Sequence, residues 1–208
     1  MQSIRSRLSL ISIPLLTLYI LYFISGCSAL IYQVIWQRML FTFFGVDLTS
    51  ITIIVSVFMF GLGIGGIGGG LIADRMQNRL LMLYMIIEFA IAGFGFLSPY
   101  IFQLFATITS SSSEAVTAIL SFLLLAFPTI LMGATFPILV THVNKIHQNI
   151  GHSVGGLYFA NTLGGAYGAY LSGFVLLYGM DLVGAINIAA NLNVMVALTA
   201  LLMFRRQK

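Results

Sequence analysis

The stretch that decides the fold runs from Leu48 to Ala73 and reads LTSITIIVSVFMFGLGIGGIGGGLIA. It contains no charged side chain. The hydrocarbon core of a bilayer is about 30 Å thick, and a helix of roughly 20 apolar residues spans it. The stretch therefore predicts a helix that crosses a membrane.

The rest of the chain has the same character. Of its 208 residues, 60% are hydrophobic and 7% are charged, whereas a soluble domain carries roughly 25% charged residues. So few charges cannot cover the surface of a soluble globular domain, and that class is excluded. The net charge of +4 comes from basic residues at the ends of apolar runs. This placement indicates membrane topology and argues against nucleic acid as a partner.

Six apolar runs predict six transmembrane helices, which make residues 1–208 one all-α domain with the lipid bilayer as its surroundings. They cover residues 14–37, 48–73, 80–103, 115–141, 153–178 and 182–204. All basic residues except Arg38 fall on one side of this topology. The positive-inside rule then places both termini in the cytoplasm, as in a multi-pass protein of the bacterial inner membrane. For the first span, a lipoprotein signal ending at Cys27 is the alternative.

Two of the spans contain small residues at every fourth position. Such ridges let helices approach closely within lipid, so we expect tight packing, with a sliding surface as the alternative. The spans concerned, the second and the fifth, hold equivalent places in two groups of three. This predicts a 3+3 inverted repeat like half of a major facilitator transporter. The glycines of the two ridges are Gly61, Gly65, Gly69, Gly156, Gly164 and Gly168.

The turn after the second span resembles the cytoplasmic G-x-L-A-D-R-x-G-R-R motif of the major facilitator superfamily. The matching positions include Asp74, Arg75 and Arg79. The glycine run at residues 65–70 resembles a nucleotide loop, but such a loop needs a preceding strand and a solvated helix start. A run inside a membrane span excludes that interpretation.

Glu88 is an acid inside the third span. Eight residues of helix place it about 12 Å deep, where a charge costs about 2.5–3.5 kcal/mol. It is predicted either to bind a proton or cation, or to be a neutral, hydrogen-bonded structural acid. The two interpretations stay open.

Other polar residues in the spans are candidates for a ligand or ion pathway. Gln33, Trp36 and Arg38 close the first span and predict either an interfacial anchor or a substrate gate, with Arg38 paired to Asp47 or to a lipid headgroup. Asn161 lies in the fifth span, and Asn187 and Asn191 share one face of the sixth. Their expected role is hydrogen bonding between helices.

Nothing in the sequence assembles into a known catalytic set. The three histidines near residues 142–152 do not share a helix face, and the single cysteine excludes a Cys-based metal site or an intramolecular disulfide. We therefore expect neither an enzyme nor a cofactor or metal.

Four stretches resemble the membrane part of bacterial spermidine-synthase-like fused membrane proteins. They are SGCSALIYQVIWQR at residues 25–38, the glycine-rich segment at 61–75, LMGATFP at 131–137 and GLYFANTLG at 156–164. The resemblance implies a cytoplasmic aminopropyltransferase-like domain after the membrane region. We expect that part to be a separate polypeptide or to be absent. Arg38, Tyr158 and Asn161 match the pattern and are candidate functional positions, whereas Gln33 replaces a glutamate of that family.

Two functions follow as hypotheses. The first is a transporter-like or ligand-binding membrane subunit for a polyamine or another amphipathic cation, acting as a homodimer with Glu88 and Asn161 lining a cavity. The second is a non-transporting anchor or assembly subunit for a separate cytoplasmic enzyme or a larger membrane complex.

Overall fold

The structure is a computed structural model that describes the backbone at residues 2–45 and 47–206 and the side chains at 14–42, 44–45, 48–146 and 148–205. Within these residues it contains six long helices and no strand, so the predicted all-α fold is confirmed. The helices are α1 Gln2–Phe44, α2 Asp47–Arg75, α3 Leu80–Thr109, α4 Glu114–His147, α5 Ile150–Leu171 and α6 Leu182–Arg206.

Five of the described helices are long and apolar enough to cross a membrane. Each of these segments is longer than the span that the sequence predicts. They are Pro14–Thr42, Leu48–Arg75, Gln77–Thr109, Glu114–Ile146 and Leu182–Arg205. The chain therefore has the helices expected of a membrane protein.

The predicted span at residues 153–178 is helical but is not among those five. Helix α5 is rich in glycine and tyrosine and contains Asn161, all of which lower its mean hydropathy. Regular α-helical hydrogen bonding also ends at Leu171, where a π-helix, Ser172–Leu176, and a short turn, Leu177–Gly179, follow. The sequence thus predicts six apolar spans, and five satisfy both length and hydropathy.

Local sequence explains where α4 and α5 begin and end. The Ser113 side chain accepts a hydrogen bond from the backbone N–H of Val116, and Asn149 accepts one from His152. These bonds satisfy backbone donors that have no partner within the first turn of a helix. Between the two helices, Gln148 has a φ of 53° and ends α4 in the left-handed conformation.

The helices associate mainly in three pairs, α1 with α5, α2 with α4, and α3 with α6. Two apolar clusters fill the bundle between them. One contains Trp36 and Phe58, and the other contains Leu15, Leu81 and Val143. The second cluster lies near the end where α2 and α4 finish, which we name the basic end because Arg75 and Lys145 lie there.

A polar layer separates the two apolar clusters. In α1, the buried members of one cluster end at Tyr22 and those of the other begin at Cys27, with Ser25 between them. Glu88 separates the two clusters in the same order in α3, and Asn193 separates them in the reverse order in α6. The bundle therefore has buried polar side chains at one depth, enclosed by apolar side chains above and below.

Glycines bring α2 and α4 into backbone contact. Gly61, Gly65 and Gly69 face Thr129, Ile130 and Ala134 of α4. In the opposite direction, Gly133 of α4 lies against the backbone of Leu62. A Cβ atom at any of these glycines would overlap its neighbour, so the close approach requires glycine.

Helices α1 and α5 meet in the same way. Gly164 and Gly168 of α5 lie against the backbone of Phe23 and Cys27, and Gly26 of α1 lies against Asn161. Gly156 faces the ring of Tyr19 instead of backbone. Cys27 is buried in this helix interface.

Replacing Gly65 by valine is expected to destabilise the bundle by about 2 kcal/mol, because the added side chain overpacks the α2–α4 contact. Gly63 is the matched control, since it lies two residues away in the same helix with open space around its Cβ position. Thermal unfolding in detergent measures both variants. Equal losses for Gly65→Val and Gly63→Val would mean that helix propensity, and not the contact with α4, causes the effect.

Candidate functional site

The polar layer is built around the carboxyl group of Glu88, which is 0% exposed. Ser25 Oγ donates a hydrogen bond to Glu88 Oε1 at 2.7 Å, and Asn193 Nδ2 donates one to Glu88 Oε2 at 2.6 Å. These two bonds connect α3 to α1 and to α6. Both contacts fit an ionised carboxylate, and they fit equally a neutral carboxyl whose Oε1 hydrogen is donated to Ser25 Oγ, because a hydroxyl can donate or accept.

The two donors compensate for much of the cost of burying the acid. A charge at the centre of a membrane helix costs about 2.5–3.5 kcal/mol, and a hydrogen bond to a charged group contributes roughly 1.5–3 kcal/mol. Neither donor carries a charge, however. The described basic side chains are exposed near helix ends, at Arg38, Arg75, Arg79, Lys145 and Arg205.

A cavity of about 270 Å³ lies next to this layer. Ser25 and Asn193 form part of its wall, and Glu88 lies behind them, bonded to both. The other lining residues come from five of the six helices: Tyr22, Ser28 and Ala29; Leu62 and Gly66; Ile91; Met132, Gly133, Thr135 and Phe136; Tyr158 and Asn161. Every helix therefore contributes to the cavity.

The cavity combines an apolar, aromatic wall with a few polar groups. The rings of Tyr22 and Phe136 stack with centroids 6.2 Å apart, and Tyr158 is 64% exposed. Asn161 Nδ2 donates a hydrogen bond to the backbone carbonyl of Tyr22 at 3.3 Å. Small-molecule sites typically have this composition, and about 270 Å³ suits a small ligand.

The structure brings three of the predicted pathway residues together and leaves two outside. Tyr158 and Asn161 line the cavity, and Glu88 lies directly behind its wall. Gln33 is half-buried and Arg38 is exposed, and neither lines the cavity. The side chain of Asp47, named as a partner for Arg38, lies outside the described residues.

Trp36 contradicts the expectation of an interfacial anchor. It is fully buried, its ring stacks on Tyr32 with centroids 4.8 Å apart, and its Nε1 donates to Ser98 Oγ at 3.1 Å. Ser98 satisfies the indole N–H within the core, so the side chain does not need an aqueous interface.

Asp74, Arg75 and Arg79 are exposed at the basic end, in and beside the turn that joins α2 to α3. Lys145 Nζ donates to the backbone carbonyl of Gln77 at 2.8 Å and connects this turn to the end of α4. These residues are far from the polar layer in the fold and form a separate surface.

Sequence reasoning missed the two direct partners of Glu88. It selected Asn191, which is exposed and donates to the Asn187 carbonyl instead. Asn193 is 1% exposed. A signal was present, because the buried face of α6 carries small residues at the spacing of Ala185, Ala189 and Ala200, and Asn193 falls on that face.

The histidines were the remaining candidates for a metal site. Among the residues that the structure describes, no group of three or more His, Cys, Asp or Glu side chains could hold a metal ion. His142 is half-buried and His152 is exposed, and the side chain of His147 lies outside the described residues.

Comparison with known proteins finds a relative among polyamine enzymes. The chain is 25% identical over 191 residues to a polyamine aminopropyltransferase of Oceanobacillus iheyensis. The similarity covers 90% of this chain but 36% of that protein, so the chain spans little more than a third of the relative's length. Neither a family model nor a solved structure matches the chain. The relative is a polyamine aminopropyltransferase, which agrees with the resemblance to spermidine-synthase-like proteins. The comparison does not test the resemblance to their membrane region.

The same comparison corrects one expectation from the sequence. The absence of a known catalytic set predicts that the protein is not an enzyme, and this prediction is wrong because the relative is an enzyme. Catalytic sets are recognised by a few side chains at known spacings, whereas this relationship extends weakly over most of the chain.

Replacing Asn193 by leucine is expected to lower the free energy of unfolding by about 1–3 kcal/mol, because a buried carboxyl oxygen of Glu88 loses its hydrogen-bond donor. Asn191→Leu is the control two residues away and should change stability little. In a Glu88→Leu background, the cost of Asn193→Leu should largely disappear. Equal costs in both backgrounds, measured by thermal unfolding, would mean that Asn193 stabilises the bundle independently of Glu88.

Proposed function

We propose that this chain is a membrane-embedded, transporter-like module related to polyamine aminopropyltransferases, and that its cavity binds a polyamine or another amphipathic cation. One observation carries the proposal. A buried carboxyl group, with no cationic partner among the side chains that the structure describes, lies directly behind the wall of a small cavity. Acids inside membrane helices usually face a bundle interior or cavity and take part in ion or substrate pathways.

The chemistry of the cavity favours a cation with an apolar body. Glu88 supplies negative charge, while Tyr22, Phe136 and Tyr158 offer aromatic faces that attract ammonium groups. A linear polyamine has both features, with charged nitrogens separated by methylene groups. The relative's name adds independent support, because that protein is a polyamine aminopropyltransferase.

The helix pairing supports a transporter-like inverted repeat. An inverted repeat makes α1 equivalent to α4, α2 to α5 and α3 to α6. Under this exchange the pair α1–α5 becomes α4–α2, the pair α2–α4 becomes α5–α1, and the pair α3–α6 is unchanged. The observed pairing therefore has the symmetry of such a repeat.

The glycine contacts follow the same exchange. Phe23, Gly26 and Cys27 of α1 meet Gly164, Asn161 and Gly168, in that order. Ile130, Gly133 and Ala134 of α4 meet Gly65, Leu62 and Gly69. The contact residues of α1 have the same sequence spacing as those of α4, and the contact residues of α5 have the same spacing as those of α2. In transporters with such repeats, the substrate site lies near the bilayer midplane at the repeat interface, and here the cavity lies between the two sets.

A second candidate is an anchor or assembly subunit for an aminopropyltransferase. This candidate is supported by the extent of the similarity, since 90% of this chain matches 36% of the polyamine aminopropyltransferase. The remaining part of such an enzyme would then carry the activity, and the membrane helices would anchor it. The exposed turn at residues 74–79 offers a surface where such a part could dock. The two candidates differ in whether a small cation stabilises the membrane helices.

Spermidine and 1,4-diaminobutane should raise the thermal unfolding midpoint of the purified protein in lipid nanodiscs, because a ligand that binds only the folded state stabilises it. At 100 times Kd, the gain is about 2.7 kcal/mol. Gly66→Phe should abolish the shift, because Gly66 lines the cavity and has open space at its Cβ position.

Gly63→Phe is the matched control for this experiment, since Gly63 is equally unobstructed but does not line the cavity. It should keep the full ligand-dependent shift. Failure of both amines to shift the unmodified protein would contradict the ligand-binding function and leave the anchor as the working hypothesis.

The proposed orientation places the basic end in the cytoplasm. A cysteine introduced at Ser111, in the α3–α4 turn, should react with a membrane-impermeant maleimide in intact cells. One introduced at Asn78, in the α2–α3 turn, should react only after the cells are opened. The native Cys27 is buried, so background labelling should be low. The reverse labelling pattern would contradict this orientation.

A further inference from the structure

Three of the hydroxyl groups in the cavity wall already use their hydrogens. Ser25 donates to Glu88, Ser28 donates to the backbone carbonyl of Ser25 at 2.8 Å, and Thr135 donates to the carbonyl of Met132 at 2.7 Å. A hydroxyl has one hydrogen and two lone pairs. What these three groups can still offer is therefore their capacity to accept.

Asn193 extends this pattern. Glu88 Oε2 accepts from Asn193 Nδ2, which orients the Asn193 amide with its NH₂ group toward the acid. The other end of the amide, Oδ1, is buried and has no hydrogen-bond partner. An unsatisfied buried acceptor costs roughly 1–3 kcal/mol, and a ligand that supplies an N–H group at Asn193 would remove this cost.

We infer that the cavity selects ligands by the hydrogens they donate, so that it takes a primary, secondary or tertiary ammonium in preference to a quaternary one. In this arrangement Glu88 is a positioning residue. It does not line the cavity, but it turns the hydrogens of Ser25 and Asn193 toward itself and leaves their acceptors for the ligand. This inference rests on the proposed cation-binding function.

The aromatic residues of the wall give the inference a clear alternative. Tyr22, Phe136 and Tyr158 attract any cation through their ring faces, including a quaternary ammonium without N–H groups. If ring faces alone determined binding, methylation of the nitrogens would matter little. Selectivity for N–H groups would come from the acceptors around Asn193.

Stepwise methylation of 1,4-diaminobutane separates the two effects. The tetramethyl form, protonated at neutral pH, keeps one N–H group at each end, and the hexamethyl form has none. These two probes differ by one methyl group per nitrogen, so their sizes are similar. We expect the hexamethyl probe to bind at least about tenfold more weakly, which corresponds to losing one charged hydrogen bond. Isothermal titration of the protein in nanodiscs measures each affinity.

The variant Glu88→Gln tests the positioning role. A glutamine at this position has both donors and acceptors, so Ser25 and Asn193 are no longer held with their hydrogens turned away from the cavity. The ratio between the two affinities should fall to about threefold or less. Glu114→Gln is the control, since Glu114 is an exposed acid at the end of the bundle opposite the basic end. The Glu114→Gln variant should keep the tenfold ratio.

Each result has one meaning. Equal binding of both probes to the unmodified protein overturns the selectivity while leaving cation binding intact. An unchanged ratio in Glu88→Gln overturns the positioning role of Glu88. If neither spermidine nor 1,4-diaminobutane binds, the proposed function itself fails. Because the readout is a ratio of affinities, a general loss of stability in the variant does not imitate the expected change.

Discussion

Close backbone contact through glycine is the constraint on which the other features of this bundle depend. Lipid provides no hydrophobic force that pushes helices together, so they must gain by packing and polar contacts. Gly65 and Gly69 let α2 lie against α4, and Gly164 and Gly168 let α5 lie against α1. The two tight pairs fix the positions of α1 and α4, whose side chains form much of the cavity wall. The position of the cavity therefore follows from the glycine contacts that hold these two helix pairs together.

The polar layer adds a second constraint, which acts across the bundle. Glu88 accepts hydrogen bonds from α1 and α6, and both donors lie at the depth between the two apolar clusters. Loss of either donor is costly, because it leaves a buried carboxyl oxygen unsatisfied. The hydrogen bonds consequently specify how α1, α3 and α6 are rotated about their axes. Held in this way, Ser25 and Asn193 form part of the cavity wall.

Much of this could be read from the sequence, because apolar runs and glycine spacing are local properties. The helices, the ridges and the importance of Glu88 follow from such patterns. The partners of Glu88 do not, since the choice between Asn191 and Asn193 depends on a rotation that packing sets. Trp36 misleads for a related reason: Ser98, distant in sequence, satisfies its N–H group inside the core. The weak apolar signal of α5 reflects the glycines, tyrosines and asparagine that its packing and cavity contacts use.

The position of Glu88 behind the wall, and not within it, has a consequence for how a cation could bind and leave. Under the proposed cation-binding function Glu88 is ionised, and its two neutral donors satisfy its hydrogen bonds but leave its charge uncompensated. At low dielectric that charge would act over several ångströms. A cation in the cavity would feel this attraction without displacing Ser25 or Asn193. When the cation departs, the carboxyl keeps both hydrogen bonds, so no buried group is stripped of its partners. Passage through a membrane protein requires binding that is favourable enough for entry and weak enough for exit; under the proposed cation-binding function, a charge held one layer away from its ligand would meet both requirements.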